Sequence, residues 1–230
     1  MHSLLAIECS SHVNAVAYIA DIDRPEVWVG EMSREDVKAS AWCLPAIERV
    51  LAKAGARKTD VNLVAFGAGP GSFTGVRTAC ATAQALAYAW HAAPIAVDCL
   101  EALAEASGLD RVEVVLDARM KELYVASFAR SADGVLARLS ATTLVSTGAF
   151  APGDGSVLVG SGALLFSSAS AQITIPAENR WAYGVARVAM CKFAKGDVTD
   201  PRYVEPIYVR NNVAQTEAQR AANALIGDRL

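Results

Sequence analysis

Histidine is scarce in this 230-residue chain: only His2, His12 and His91 occur, so no HxxxH or HExxH pair can form on a helix face. A metallopeptidase of that kind is excluded. No GxSxG elbow surrounds any serine, and a Ser-His-Asp triad would have to recruit His12 or His91, neither of which has a partner suggested by spacing. The five cysteines (Cys9, Cys43, Cys80, Cys99 and Cys191) are odd in number, far apart and never in a CxxC pair, which argues against both a disulfide framework and a thiolate zinc site. A positive surplus is missing as well. With 21 Lys plus Arg against 24 Asp plus Glu, the formal charge is -3, and nothing gathers polyanions. If nucleic acid matters, another protein must supply most of the positive surface.

The amino terminus has no basic start, and Glu8 interrupts its apolar run, so it does not read as a signal peptide. Residues 78 to 97 pass without a formal charge, long enough to span a bilayer. The stretch is nevertheless mostly alanine, contains Thr82, Gln84 and His91, and is broken by Pro94, so it reads as a buried helix followed by a strand. No membrane span is expected, and the expected location is cytoplasmic.

What the chain has in quantity is alanine, 45 residues of it. Residues 3 to 9 and 13 to 20 are apolar runs flanking a polar turn, a hairpin signal, and a third strand follows over 27 to 32. Helical spacing then runs from Glu35 to Ala54 with Val37, Ser40, Leu44, Ile47 and Leu51 on one face, ending at Gly55. A strand over 61 to 67 leads through a glycine-rich loop into a helix over 74 to 90. A short strand over 94 to 97 and a short helix over 100 to 106 complete an amino-terminal unit, residues 1–107. The remainder, 108–230, opens with strands over 112 to 116 and 123 to 129, a buried strand at 157 to 159, a helix from Ala177 to Phe193, and a short amphipathic or frayed tail after Ala214. Sliding the chain by 109 residues lays Leu-Ala-Ile-Glu (5 to 8) on Val-Val-Leu-Asp (114 to 117) and 15 to 19 on 124 to 128. Strand, acidic turn and strand recur in register, the mark either of duplication or of two ordinary hairpins.

Both copies end their first strand in a carboxylate, Glu8 and Asp117. These are either a pair facing phosphate or magnesium across a cleft, or caps on nearby amides. The loop Gly67-Ala-Gly-Pro-Gly-Ser-Phe-Thr-Gly-Val-Arg77 has four glycines and a following helix start, which suit an anion, with Gly69 and Gly71 as candidate contacts. It matches neither the P-loop nor GxGxxG, so a tight structural turn is the other reading. On the helix that follows, Arg77, Ala81, Ala85 and Tyr88 lie opposite the apolar face. On the preceding helix Trp42, Ala46, Arg49 and Lys53 lie opposite its core face. Outer stripes this poor in charge suit either a second polypeptide or the chain's own second half. The turn Asp117-Ala-Arg-Met-Lys-Glu-Leu-Tyr124 is a recognition surface or a solvated hairpin, and Tyr208-Val-Arg-Asn-Asn-Val-Ala214 reads as turn chemistry.

Together the loop GxGPGSFTGxR, the opening LLAIECSS, the DARMKELY turn and the terminal YVRNNVA resemble the TsaB (YeaZ) family, over Leu4 to Ala214. That family is the bacterial dimerisation subunit of the machinery making threonylcarbamoyladenosine in tRNA. The resemblance implies an α/β, actin-like (ASKHA, ribonuclease H-like) two-lobed duplicated fold. It implies a non-catalytic subunit that binds and activates the threonylcarbamoyltransferase subunit TsaD through the helices 35 to 54 and 74 to 90. Interface residues would be Trp42, Ala46, Arg49, Arg77, Ala81, Ala85 and Tyr88. A TsaE-like ATPase subunit and tRNA would join the complex, and the free chain would pair with itself. No cofactor or metal of its own is implied; ATP or ADP and a catalytic metal are expected on the partner subunits. Two departures stand out. Glu8 replaces the usual Asp, its extra methylene moving the carboxylate by more than about an ångström, which argues against a working nucleotide site. Ala39 stands upstream of Leu44-Pro45 where a His is common. The alternative is an autonomous ATPase or phosphotransferase built on Glu8, Gly69, Gly71 and Asp117.

Overall fold

A computed structural model describes residues 2–132, 134–153, 156–165, 172–174 and 180–210. Strands β1 (Leu4–Glu8), β2 (Ala15–Ile19) and β3 (Trp28–Met32) form an antiparallel meander, and β4 (Leu63–Gly69) and β5 (Ala93–Asp98) extend it in parallel to give the order β3-β2-β1-β4-β5. Helix α1 (Ala39–Lys53) precedes β4, α2 (Phe73–Trp90) joins β4 to β5, and α3 (Cys99–Ser107) leaves β5. A second sheet uses β6 (Arg111–Arg119), β7 (Glu122–Arg130), β8 (Leu136–Arg138), β10 (Val157–Val159) and β11 (Gln172–Thr174), with β9 (Thr143–Ser146) also pairing with β7. Its order, β8-β7-β6-β10-β11, repeats the first, with an antiparallel β6–β7 hairpin and β10 parallel to β6. The 109-residue echo therefore falls on topologically equivalent strands. Helix α4 (Trp181–Ala194) follows; the expected helix start at Ala177 and the tail after Ala214 lie outside the described residues.

Strand β1 is buried along its whole length because both faces of the first sheet are covered, which is why its sequence is an unbroken apolar run. Leu5 and Ile7 face a core with Val16, Phe66, Cys43, Ile47 and Ala83, under α1 and α2. Leu4 and Ala6 face the opposite way, onto Ala182, Val185, Ala186 and Ala189 of α4. The helix from the carboxy-terminal half thus returns to roof the first sheet. Much of the alanine content is spent here: small side chains on both partners let backbones approach closely. Gly184 is the extreme case, since a Cβ there would lie 2.2 Å from the Ala102 carbonyl oxygen on α3.

Polar pins hold this arrangement. Glu105 on α3 receives Arg130 of β7 at 2.8 Å and Arg187 of α4 at 3.5 Å, all on side chains with limited exposure. Asp98 caps α3 by accepting from the Leu100 and Glu101 amides and pairs with Arg138 of β8 at 3.0 Å. Helix α1 starts four residues later than its periodicity predicts. The Asn14 amide donates to the Val37 carbonyl at 2.8 Å, and Asp36 adopts a positive φ of 59°, so the chain up to Lys38 is held extended or turned.

Enlarging Gly184 separates α4 from α3. Gly184→Val is expected to lower stability by about 1–3 kcal/mol in chemical denaturation, the usual cost of overpacking, without changing the fold.

Candidate functional site

Two surfaces emerge from this frame: a cleft between the two hairpins and a groove between α1 and α2. The cleft, of about 1060 Å³, is bordered by the ends of β1 and β6, by the loop after β4, and by Trp181, Tyr208 and Arg210. Both strand-end carboxylates border it, and neither is presented as a free ligand. Glu8 is buried, accepts from the Ser10 amide, and lies 3.5 Å from the Cys99 sulfur, which donates to it. Burial pushes the Glu8 carboxyl above its ordinary 4.5 despite those hydrogen bonds. Asp117 accepts from the Arg119 amide at 2.8 Å and pairs with the same guanidinium at 3.2 Å, closing a turn in which Arg119, Met120 and Lys121 all take positive φ. Among the described residues no cluster of three His, Cys, Asp or Glu side chains is placed to hold a metal.

The glycine loop meets the chain's own backbone. A Cβ on Gly67 would sit 2.1 Å from the Glu8 carboxylate, one on Gly71 2.6 Å from Ser10, and one on Gly75 1.8 Å from the Cys9 carbonyl oxygen. The Ser72 amide donates to the Ser10 carbonyl at 2.7 Å, and the Gly75 amide to the Ser72 hydroxyl. These three glycines make room for residues 8 to 10. Gly69 fits the same pattern on its other side: its φ is 113°, and a Cβ would lie 2.8 Å from the Ile207 carbonyl oxygen. Close packing on the chain's own residues accounts for the four glycines.

The outer groove is lined by Ser40, Leu44, Phe73, Arg77, Thr78 and Ala81, with Arg77 its one charged residue. Leu44 and Phe73 are 52% and 51% exposed, and Tyr88, farther along α2, is 74% exposed. Arg77, Ala81, Ala85 and Tyr88 are all exposed as expected, and Tyr208 of the carboxy-terminal half meets this stripe at Arg77. On α1 the expectation needs correction. Ala46 has no exposure and Trp42 packs against the lobe's core, while Leu44, expected inside, faces out. The buried face is Cys43, Ala46, Ile47, Val50 and Leu51. Arg49 is exposed but turns to β3, its Nε donating to Glu31 at 2.9 Å. Ala46 is small enough to let α1 settle onto the sheet, and the late helix start removes Val37 from the periodic set.

A family model described as tRNA N6-adenosine threonylcarbamoyltransferase (TsaD) matches residues 37–150. The tRNA threonylcarbamoyladenosine biosynthesis protein TsaB of Escherichia coli K12 is 33% identical over 194 residues, which is 74% of this chain and 80% of that protein. The Haemophilus influenzae protein of the same description is 33% identical over 132 residues, 56% of this chain and 54% of that one. The chain belongs to the TsaB family. Its fold is the actin-like, ribonuclease H-like fold of YeaZ from Pseudomonas aeruginosa, matched at a TM-score of 0.79 and 25% identity over 90% of this chain and all of that one.

In this TsaB-family chain a carboxy-terminal strap joins the two surfaces, a feature that turn chemistry alone did not reveal. Val204 is buried against α2, and Gln84 donates to the Pro201 carbonyl at 2.7 Å. The Ile207 amide donates to Ala68 at 2.7 Å, and the Tyr208 hydroxyl accepts from Arg77 at 3.0 Å. Arg210 donates to the Ala118 carbonyl at 3.1 Å and pairs with Glu122, gripping the second hairpin turn. Asn211 to Ala214 of the expected motif lie outside the described residues.

A buried carboxyl with a raised pKa costs nothing when protonated in both states and weakens the fold as pH climbs through its folded value. Glu8→Gln is therefore expected to match wild type in denaturation at about pH 4 and exceed it at about pH 8. A wild type more stable than the variant at the higher pH refutes this account of Glu8.

Proposed function

We propose that this TsaB-family chain acts as a non-catalytic subunit in tRNA threonylcarbamoyladenosine biosynthesis, docking on a TsaD-like threonylcarbamoyltransferase through the α1–α2 groove and favouring its active state. The observation that carries this reading is the groove itself: an exposed strip of Leu44, Phe73, Ala81 and Ala85 beside a single charge, Arg77. Fully burying a Leu or Phe side chain is worth about 1.5–3 kcal/mol, so a few such residues can anchor an association. Small alanines between them allow a partner helix to come close.

Activation follows from preferential binding. A subunit that contacts one conformation of its partner better than the others raises the population of that conformation by the difference in affinity. Residues 8 to 10 filling the glycine loop support a role without a nucleotide of its own and weigh against an autonomous ATPase or phosphotransferase. ATP or ADP and a catalytic metal then belong to the partners, a TsaE-like ATPase among them, and tRNA is met through the complex in the cytoplasm. Self-pairing of the free chain uses the same groove.

The test is direct. Ala85→Glu and Leu44→Asp place a charge on exposed positions that the fold tolerates, and each is expected to weaken co-elution with the TsaD-like subunit by more than about tenfold while leaving circular dichroism unchanged. Reconstituted tRNA modification should fall in parallel. Unchanged co-elution by both variants removes the groove from the interface.

A further inference from the structure

The groove's single cation is held by aromatic side chains rather than by a carboxylate. The Arg77 guanidinium carbon lies 3.6 Å from the centre of the Phe73 ring, one turn back on α2, and Nε donates to the Tyr208 hydroxyl at 3.0 Å. Tyr208 is in turn fixed by its neighbours in the strap: the Ile207 amide on Ala68, and Arg210 on Ala118 and Glu122. Most other exposed arginines sit against a carboxylate, as Arg49 does with Glu31, Arg57 with Asp60 and Arg202 with Asp200. Arg77 has no carboxylate partner among the described residues. Its Nε is engaged by a neutral phenol, and no described ion pair or hydrogen bond uses its two terminal nitrogens.

We infer that Arg77 is a preorganised receptor for a carboxylate, and that the protein docking in the α1–α2 groove must present an Asp or Glu to it. This rests on the docking role proposed above and adds the chemistry of the partner's contact. A planar guanidinium stacked on one face and tethered through Nε offers its remaining N–H fork in a fixed direction, the geometry that a carboxylate fits bidentately. Because the ordering of the side chain is already complete, less entropy is lost on pairing. The apolar residues around it, Leu44, Phe73 and Ala81, exclude water once a partner covers them and strengthen the pair. A nucleic acid is the less suitable occupant. Phosphate binding draws on several cations, and the groove has one, in a chain of net charge -3.

Within this arrangement Tyr208 is a positioning residue and Arg77 the contact. The experiment measures the affinity of the full chain for the TsaD-like subunit across a salt series, using wild type, Arg77→Met, Arg77→Lys and Tyr208→Phe, with Ala85→Glu alongside. Arg77→Met keeps the apolar stem and is expected to raise Kd by more than about tenfold and to flatten the salt dependence. Arg77→Lys keeps the charge but not the fork, so the salt dependence should persist while the affinity falls. Tyr208→Phe should cost about threefold with the wild-type salt slope retained, a split that a purely structural loss does not produce. The inference is overturned if Arg77→Met binds like wild type with the same salt slope. If that happens while Ala85→Glu abolishes binding, the docking reading survives and only the carboxylate contact falls. If wild type fails to bind, both fall together.

Discussion

The contact on which the rest of the molecule depends is the seating of residues 8 to 10 inside the glycine loop. Three glycines, Gly67, Gly71 and Gly75, are spaced so that the Glu8 carboxylate, the Ser10 backbone and the Cys9 carbonyl each occupy room that a Cβ would take. The Ser72 amide, first to turn into α2, is spent on the Ser10 carbonyl. One apposition therefore does two things. It buries Glu8 in the sheet end, and it fixes the axis along which α2 leaves β4. The outward stripe of α2 is oriented by the same contact that closes the loop.

The two sheets share a strand order, and their leading hairpins stand 109 residues apart, yet their carboxylates are treated differently. Glu8 is folded back onto Gly67 and Cys99, whereas Asp117 closes a turn of three positive-φ residues that Arg210 then grips. Each half places an acid at the end of its leading strand, and each acid accepts from a nearby backbone amide, Glu8 from Ser10 and Asp117 from Arg119. The helix that roofs the first sheet comes from the second half, and Glu105, receiving one arginine from β7 and one from α4, ties that crossing down.

This pattern also marks how far the sequence can be read. The hairpins, the β4-loop-α2 unit and the repeat were legible because they are written in continuous apolar runs, polar or glycine-rich turns, and two acids at a fixed offset. The outer stripe of α2 was legible for a similar reason, since Arg77 and Tyr88 mark its polar side. Helix α1 was misread by its neighbours in kind: Leu44 looks like core and Ala46 like surface, but Ala46 is the residue that lets the helix touch the sheet, and Leu44 is left for the groove. Alanine carries almost no directional signal, and this chain is rich in it. The strap was not legible at all, because its hold on α2 and the second hairpin comes from backbone groups and from contacts more than a hundred residues apart, such as Gln84 with Pro201 and Arg77 with Tyr208.

The strap nevertheless gives the two surfaces a physical reason to belong to one device. Its middle is hydrogen-bonded to the end of β4 beside the glycine loop, one side reaches Arg77 in the groove, and its far end grips the hairpin turn that opens the second sheet. A groove built only from α1 and α2 would depend on the first sheet alone. With Tyr208 bracing Arg77, the polar corner of the groove depends on the second half holding its place, so the groove is complete only when both halves are assembled. The second half thus serves as the scaffold that sets the one charge lining the groove.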